Sequence, residues 1–279
     1  MNDIMWKRYC KHRFAVAGLI IIVLLIMCAV TAPLIATHNP YAIGSRFNAP
    51  PSADHILGTD PIGRDLFSRL IYGARISVSV GLGAVAVATL FGTILGLYAG
   101  YFGGFIDAVI MRIADVFLSF SGMILIIVVS SIIGPGLDKV IIVMGILGLP
   151  EVARLVRGNV LSVKQADYTK SAISLGFKSP RILFLHILPN TTAPILVNAT
   201  FGVARAILME SSLSFLGMGV NPPTATWGNM LTDAQSLTTL TSRPWLWLPP
   251  GLMILISVLA FNFVGDGLRD ALDPKAAKR

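Results

Sequence analysis

The sequence predicts an all-α polytopic membrane protein with six transmembrane helices, on three observations. The chain is 54% hydrophobic and 13% charged over 279 residues, with a mean hydropathy of +0.75. A soluble domain carries about 25% charged residues, and an aqueous chain of this size would need a single very large core. Apolar runs of spanning length recur along the chain, and Lys and Arg gather between them rather than within them. A net charge of +8 can indicate nucleic acid. Without a basic face or an aromatic ladder it indicates membrane orientation instead, so no nucleic-acid partner is expected.

A spanning helix needs about 20 mostly apolar residues. The candidates are 14–36, 76–98, 105–129, 137–157, 193–216 and 248–268. The first follows Lys7, Arg8, Lys11 and Arg13, a pattern shared with signal peptides. Its apolar length predicts an uncleaved helix, so residues 1–36 read as a short tail and a first span. That span has no regular strip of small residues and is placed at the periphery. Residues 37–75, rich in Pro, Gly and polar side chains, form a long outer segment. In the second span Ala84, Ala88, Gly92, Gly96 and Gly100 recur every four residues. Such a strip lets another helix approach closely where lipid supplies no hydrophobic contrast.

The fourth span is the weakest. Its clean apolar stretch, 140–149, covers about half the hydrocarbon thickness, and Pro150 and Glu151 follow. It needs a kink or shielding by neighbouring helices. The loop at about 158–189 exceeds a tight turn, and 165–176 reads as a short helix stopped by Gly176 and Pro180. A long loop with its own helix is a candidate docking element. In the fifth span Arg205 and Glu210 are ionisable residues within an apolar run, functional candidates by default. Five residues place them about 140° apart on a helix, so each is expected to contact a neighbouring helix. Residues 76–268 then form a five-helix unit, and 269–279 a tail.

With six spans both termini share one side. Placing them inside puts fifteen Lys and Arg in inner segments and six in outer ones, with Arg205 inside a span. That bias predicts cytoplasmic termini. Catalytic signatures are missing. Gly176-Phe177-Lys178-Ser179 lacks the Gly-Lys step of a phosphate loop. There is no H-E-x-x-H and no G-x-S-x-G. No second carboxylate completes a dyad with Asp266. Cys10 and Cys28 lie in or beside the first run and suggest no disulfide framework. His12, His38, His55 and His186 are scattered, and each reads as a surface or packing residue rather than a metal ligand. Neither an enzyme nor a metal centre is expected, so uphill transport would draw energy from a partner.

The inner loop carries a family resemblance. Tyr168-Thr169-Lys170-Ser171-Ala172-Ile173-Ser174-Leu175-Gly176, followed by His186-Ile187-Leu188-Pro189-Asn190, resembles the Glu-Ala-Ala…Gly…Leu-Pro signature of binding-protein-dependent ABC importer permeases. Ala172, Gly176, Leu188 and Pro189 match it. Lys170 stands where the signature has Glu, and Ser171 where it has the first Ala. Other stretches resemble the dipeptide, oligopeptide and nickel branch, in its "C"-type permease. These are the segment holding Gly58, Asp60, Gly63, Arg64 and Asp65, the turn Gly100-Tyr101-Phe102-Gly103-Gly104 with Asp107, Arg112 and Asp115, and the Glu210-to-Gly219 stretch with Gly217. Trp227-Gly228 and the C-terminal motif with Asn262, Gly265, Asp266, Asp270 and Asp273 complete the set. Ser121-Gly122 stands where that family often has proline.

The resemblance implies a type I ABC importer permease fold in the cell inner membrane. It implies a homologous second permease, two cytoplasmic ATPase subunits and an extracytoplasmic solute-binding protein, with ATP and Mg bound by the ATPases and no cofactor by this chain. In that family the loop carrying Asp167, Tyr168, Lys170, Ser171, Ala172 and Gly176 forms a coupling helix on the ATPase. Peptides are the expected cargo, with nickel or a nickel chelate as the alternative. A stand-alone carrier or channel, and a scaffold with no solute path, are the rivals from other classes.

Overall fold

The computed structural model describes residues 8–272. The motif residue Asp273 lies outside the described residues. The long helices are α1 (Arg13–Val30), α2 (Leu66–Phe102), α3 (Gly104–Ser119), α4 (Gly122–Ile133), α5 (Leu137–Lys164), α6 (Asp167–Ser174), α7 (Leu188–Phe215) and α8 (Pro244–Leu272). Among the described residues there is no β-strand, only an isolated bridge between Thr59 and Asp65. The starts of α1 and the end of α8 share one end of the bundle, where His12 lies 3.8 Å from Asp270. The α2–α3 turn and α6 lie at this end too, as Lys164 beside α6 donates to the Tyr101 carbonyl at 2.6 Å. Residues 37–65 and 216–243 occupy the other end.

Four helices, α1, α2, α8 and the continuous stretch Ser179–Phe215 that contains α7, are long and apolar enough to cross a membrane. The third expected span differs from the sequence expectation. It is two helices, α3 and α4, bent by 91°. The chain breaks at Ser121, whose backbone is extended, and the Phe120 N–H reaches back only to Phe117. Counting this bent pair as one span makes five. The doubtful fourth span is a helix of 28 residues with Pro150 inside it, about 42 Å long. Its charges are met by neighbours. Arg157 makes a two-pronged ion pair with Asp107 of α3, Nη2 to Oδ2 at 2.6 Å, and Arg154 pairs with Asp115, about two turns further along α3. Pairing of this kind lets cations lie along an otherwise apolar helix.

The small-residue strip of α2 faces α5. A Cβ on Gly92 would lie 2.7 Å from Val152 Cβ, on Gly96 2.6 Å from the Ala153 carbonyl oxygen, and on Gly100 2.7 Å from Val160 Cβ. Gly145 of α5 answers it, since a Cβ there would meet Val87 at 2.7 Å. The two backbones touch along most of their shared length. Helix α1 packs on α8 and α2 and leaves Phe14, Leu24, Met27 and Val30 exposed. Its contacts carry small residues all the same, three positions apart rather than four. A Cβ on its Gly18 would lie 2.6 Å from the Ala260 carbonyl oxygen, and Ala15 sits against Gly267.

Before α7 the chain winds as a π-helix, Ile182–Ile187. The Leu188 N–H bonds five residues back, to the Leu183 carbonyl. Proline in a helix lacks a donor and collides with the carbonyl four residues before it. The widened turn ahead of Pro189 provides the room.

Candidate functional site

Helices α2, α4, α5 and α7 line an open cavity of about 200 Å³. Its wall is apolar, with Ala88, Ile126, Met144 and Met209 among the lining residues, and two charges interrupt it. Arg205 Nη2 lies 2.9 Å from Glu151 Oε1, and both side chains are about half exposed. Pro150 and Glu151, which weakened the fourth span as a sequence, thus bring a carboxylate to the cavity. The bend between α3 and α4 places Gly122 and Ile126 in the same wall. Broken helices are tolerated at membrane depth where they line a cavity.

Glu210, five residues from Arg205, points elsewhere and is fully buried. Its Oε1 accepts from Ser214 Oγ at 2.7 Å and its Oε2 from Ser77 Oγ of α2 at 3.1 Å. Ser77 in turn accepts the Trp227 backbone N–H, and the buried Trp227 indole donates to the Leu70 carbonyl at 3.1 Å. Gly228 is needed next to it, since a Cβ there would lie 2.6 Å from Ser211 Cα. The motif residue Gly217 closes α7 with a positive φ of 78°, and the Met218 N–H returns to the Leu213 carbonyl. Glu210 and Arg205 therefore contact different helices, as their angular separation predicts.

At the terminal end α6 shows two faces. Thr169 and Ala172 turn inward, Ala172 to 4% exposure against Val156, Val160 and Ile182. Asp167, Tyr168, Lys170 and Ser171 are exposed. So are Ile173 and Leu175, the latter 73% exposed, two apolar residues that the sequence motif does not single out. Helical period does not mark them, since Ile173 lies four residues from the buried Thr169 and Leu175 three from the buried Ala172. Gly176 ends the helix at φ +73°, with the Phe177 N–H bonded to the Ala172 carbonyl and the Gly176 N–H to that of Ile173. This is a Schellman closure, which favours glycine. Leu188 and Pro189 start α7 after the π-turn. Ala172 supports the loop from within and does not present a surface.

The motif before α2 is a folded cap. Asp60 Oδ1 accepts the backbone N–H groups of Ile62 and Arg64, and its Oδ2 meets Arg64 Nε at 2.6 Å. Gly58 and Gly63 adopt positive φ, and a Cβ on Gly63 would strike the Gly44 carbonyl oxygen at 2.5 Å. Asp65 caps α2 through the Ser68 N–H at 2.8 Å. Burial pushes its carboxyl up, but hydrogen bonds from Ser68 and His55, with His38 nearby, hold it below the usual value. The Asp233 carboxyl is held above its usual value by burial and by Asp60, with Arg64 and Arg69 opposing. His38 and His55, read from sequence as isolated, lie together here with ring centroids 4.8 Å apart.

At the other terminus Gly265 and Gly267 are contact positions. A Cβ on Gly265 would lie 2.8 Å from Thr200 Oγ1. Asn262 is half-buried, and Asp266 and Asp270 are exposed.

Residues 92–278 match the family described as "Binding-protein-dependent transport system inner membrane component". Residues 3–51 match the N-terminal transmembrane domain of oligopeptide transport permease C. The chain is 46% identical to the dipeptide transport system permease protein of Alkalihalophilus pseudofirmus, over 97% of this chain and 88% of that one. It is 44% identical to the glutathione transport system permease protein of Pectobacterium atrosepticum, over 97% and 90%. Identity to the oligopeptide transport system permease protein of Bacillus subtilis is 43%, over 98% and 91%.

Proposed function

Because the chain belongs to the family of binding-protein-dependent transport system inner membrane components, we propose that it forms half of a peptide path in an ATP-driven uptake system. The other half is a homologous permease. Two ATPases bind at the end carrying α6, which faces the cytoplasm with both termini, and a solute-binding protein delivers cargo at the other end. ATP and Mg act on the ATPases, and the transport role requires no cofactor on this chain. The relatives named above are permeases for dipeptides, oligopeptides and glutathione, which favours peptides over nickel.

One observation carries the coupling role: two exposed apolar residues, Ile173 on α6 and Leu175 just past its end, flank the face that Thr169 and Ala172 bury in the core. Movement of a docked ATPase would pass through Ala172 to α5. The double substitution Ile173→Asp, Leu175→Asp is expected to leave the chain folded in the membrane. It should abolish co-purification of the ATPase and lower uptake in reconstituted vesicles by at least about tenfold, the effect of losing ~1.4 kcal/mol or more of interface. Unchanged uptake would refute the docking role. Uptake by this chain in vesicles without any ATPase would favour a stand-alone carrier.

The cavity between α2, α4, α5 and α7 is this chain's share of the path. A peptide brings an ammonium and a carboxylate, and Glu151 and Arg205 complement both. An ion pair this exposed contributes at most about 1 kcal/mol to folding. Arg205→Ala is therefore expected to keep the melting temperature near wild type while reducing peptide uptake. Equal uptake by wild type and variant would remove the pair from the path.

A further inference from the structure

Three ligating side chains from separate parts of the chain meet at the start of α2. His38, His55 and Asp65 each offer one ligand atom, and these atoms all lie within 4.8 Å of one another. His55 Nδ1 is 2.9 Å from Asp65 Oδ1, and His38 Nδ1 is 3.8 Å from the same oxygen. The two imidazole rings are tilted by 36°. Ligands held tetrahedrally at about 2.0–2.1 Å from zinc stand ~3.4 Å apart. The two observed separations straddle that value. Small side-chain rotations would suffice to close on an ion.

The donor set selects the metal class. Two imidazoles and one carboxylate suit zinc and its first-row neighbours, whereas calcium and magnesium prefer oxygen throughout. The surroundings fix the ligands in place. Asp65 Oδ2 is occupied by the Ser68 N–H at 2.8 Å and the Thr37 hydroxyl at 3.4 Å, which leaves Oδ1 for an ion. The His38 backbone N–H donates to Ser68 Oγ at 3.0 Å. An ion would take His38 Nδ1 from its present contact with Thr37 Oγ1 at 3.1 Å. Among the described residues the charge partners of Asp65 are these two histidines, with no lysine or arginine in contact. Side-chain exposure grades from 2% at Asp65 through 18% at His55 to 43% at His38. The site thus has a buried anchor and an open side for the ion and a water ligand. Outer hydrogen bonds of this kind orient metal ligands in structural and catalytic sites alike.

We propose that His38, His55 and Asp65 form a zinc site, with water as a fourth ligand, that fastens residues 37–65 to the N-terminus of α2. This does not depend on the transport reading. The full-length chain, freed of any affinity tag and stripped with a chelator, is titrated with zinc chloride in lipid nanodiscs by calorimetry. A parallel titration uses cobalt and visible absorption. The expected result is one zinc per chain and a tetrahedral cobalt band. His38→Ala and His55→Ala should each weaken binding by about tenfold or more, and removing zinc should speed hydrogen exchange in 37–65. His55→Gln, which retains a donor toward Asp65 and so preserves the local fold, should lose the metal as well. Zinc binding that persists at full strength in the His38→Ala, His55→Ala double variant overturns the site. So does zinc binding by wild type no stronger than in that variant, which would leave the cluster as hydrogen bonds alone.

Discussion

Replacing Gly96 by valine is expected to abolish accumulation of folded protein. A Cβ at Gly96 would lie 2.6 Å from both the Ala153 carbonyl oxygen and Val156 Cβ, whereas carbon contacts relax at about 3.5–4.0 Å. One of the two obstacles is backbone, so no rotamer change relieves it. Helix α2 would have to move away from α5 by roughly 1 Å, and the strip that binds the pair would open at Gly92 and Gly100 too. Overpacking a core costs about 1–3 kcal/mol for small additions and more where backbone must shift. Valine adds three carbons here, and about 3 kcal/mol or more is a large share of a typical 5–15 kcal/mol stability. Gly158 of α5 is the control, because nothing lies within 4 Å of a Cβ built there. Gly158→Ala should be neutral or stabilising by up to ~1 kcal/mol through helix propensity. Detergent-solubilised yield and melting temperature read both results. Equal yields of the two variants would refute the close-packed seam.

The second large effect is expected at Glu210. Glu210→Ala removes both acceptors from a fully buried network. It strands the Ser77 and Ser214 hydroxyls, at about 1–3 kcal/mol for each unsatisfied group. It also leaves a cavity beside Trp227, for which residual volume adds its own cost. A loss of about 2–6 kcal/mol follows from the two hydroxyls alone, with the cavity adding to it. Glu210→Gln keeps the shape, one acceptor and a donor that a serine oxygen can accept, so its loss should be under half as large. Unfolding in a graded denaturing detergent, followed by tryptophan fluorescence, orders the three proteins as wild type, Gln, Ala. If alanine proves as stable as glutamine, the network does not hold α7 to α2. Uptake alone would be the wrong readout, because a loosened bundle and a blocked path both lower it.

The helices and the seam between α2 and α5 were legible because period and residue size repeat over many turns. Ala84, Ala88, Gly92, Gly96 and Gly100 announce a close contact, though not with which helix. The break at Ser121 was not legible. The run through it, 113–129, is apolar apart from Asp115, Ser119 and Ser121, and no proline or glycine stands at the break itself, only Gly122 just after it. The α6 loop was found from Gly176 and its spacing to Leu188-Pro189. Its face assignment needed the structure, since a helix of 8 residues has too few turns for a reliable periodicity. Arg205 and Glu210 could be separated from one another by angle. Their partners, Glu151 and Ser77, lie 54 and 133 positions away, and no local pattern encodes that. His38, His55 and Asp65 were missed for the same reason: their convergence is made by a loop that turns at Gly58 and Gly63.

Helix α2 is unbroken over 37 residues, about 55 Å. It has the folded cap of 37–65 at one end, the Ser77–Glu210 link part-way along, and the glycine seam toward the other. A stiff beam so loaded cannot absorb a push locally. A tilt of about 5° about its midpoint would carry each tip ~2.4 Å in opposite senses. The two ends of the bundle would then shift together, in a fixed ratio set by where the beam is pinned.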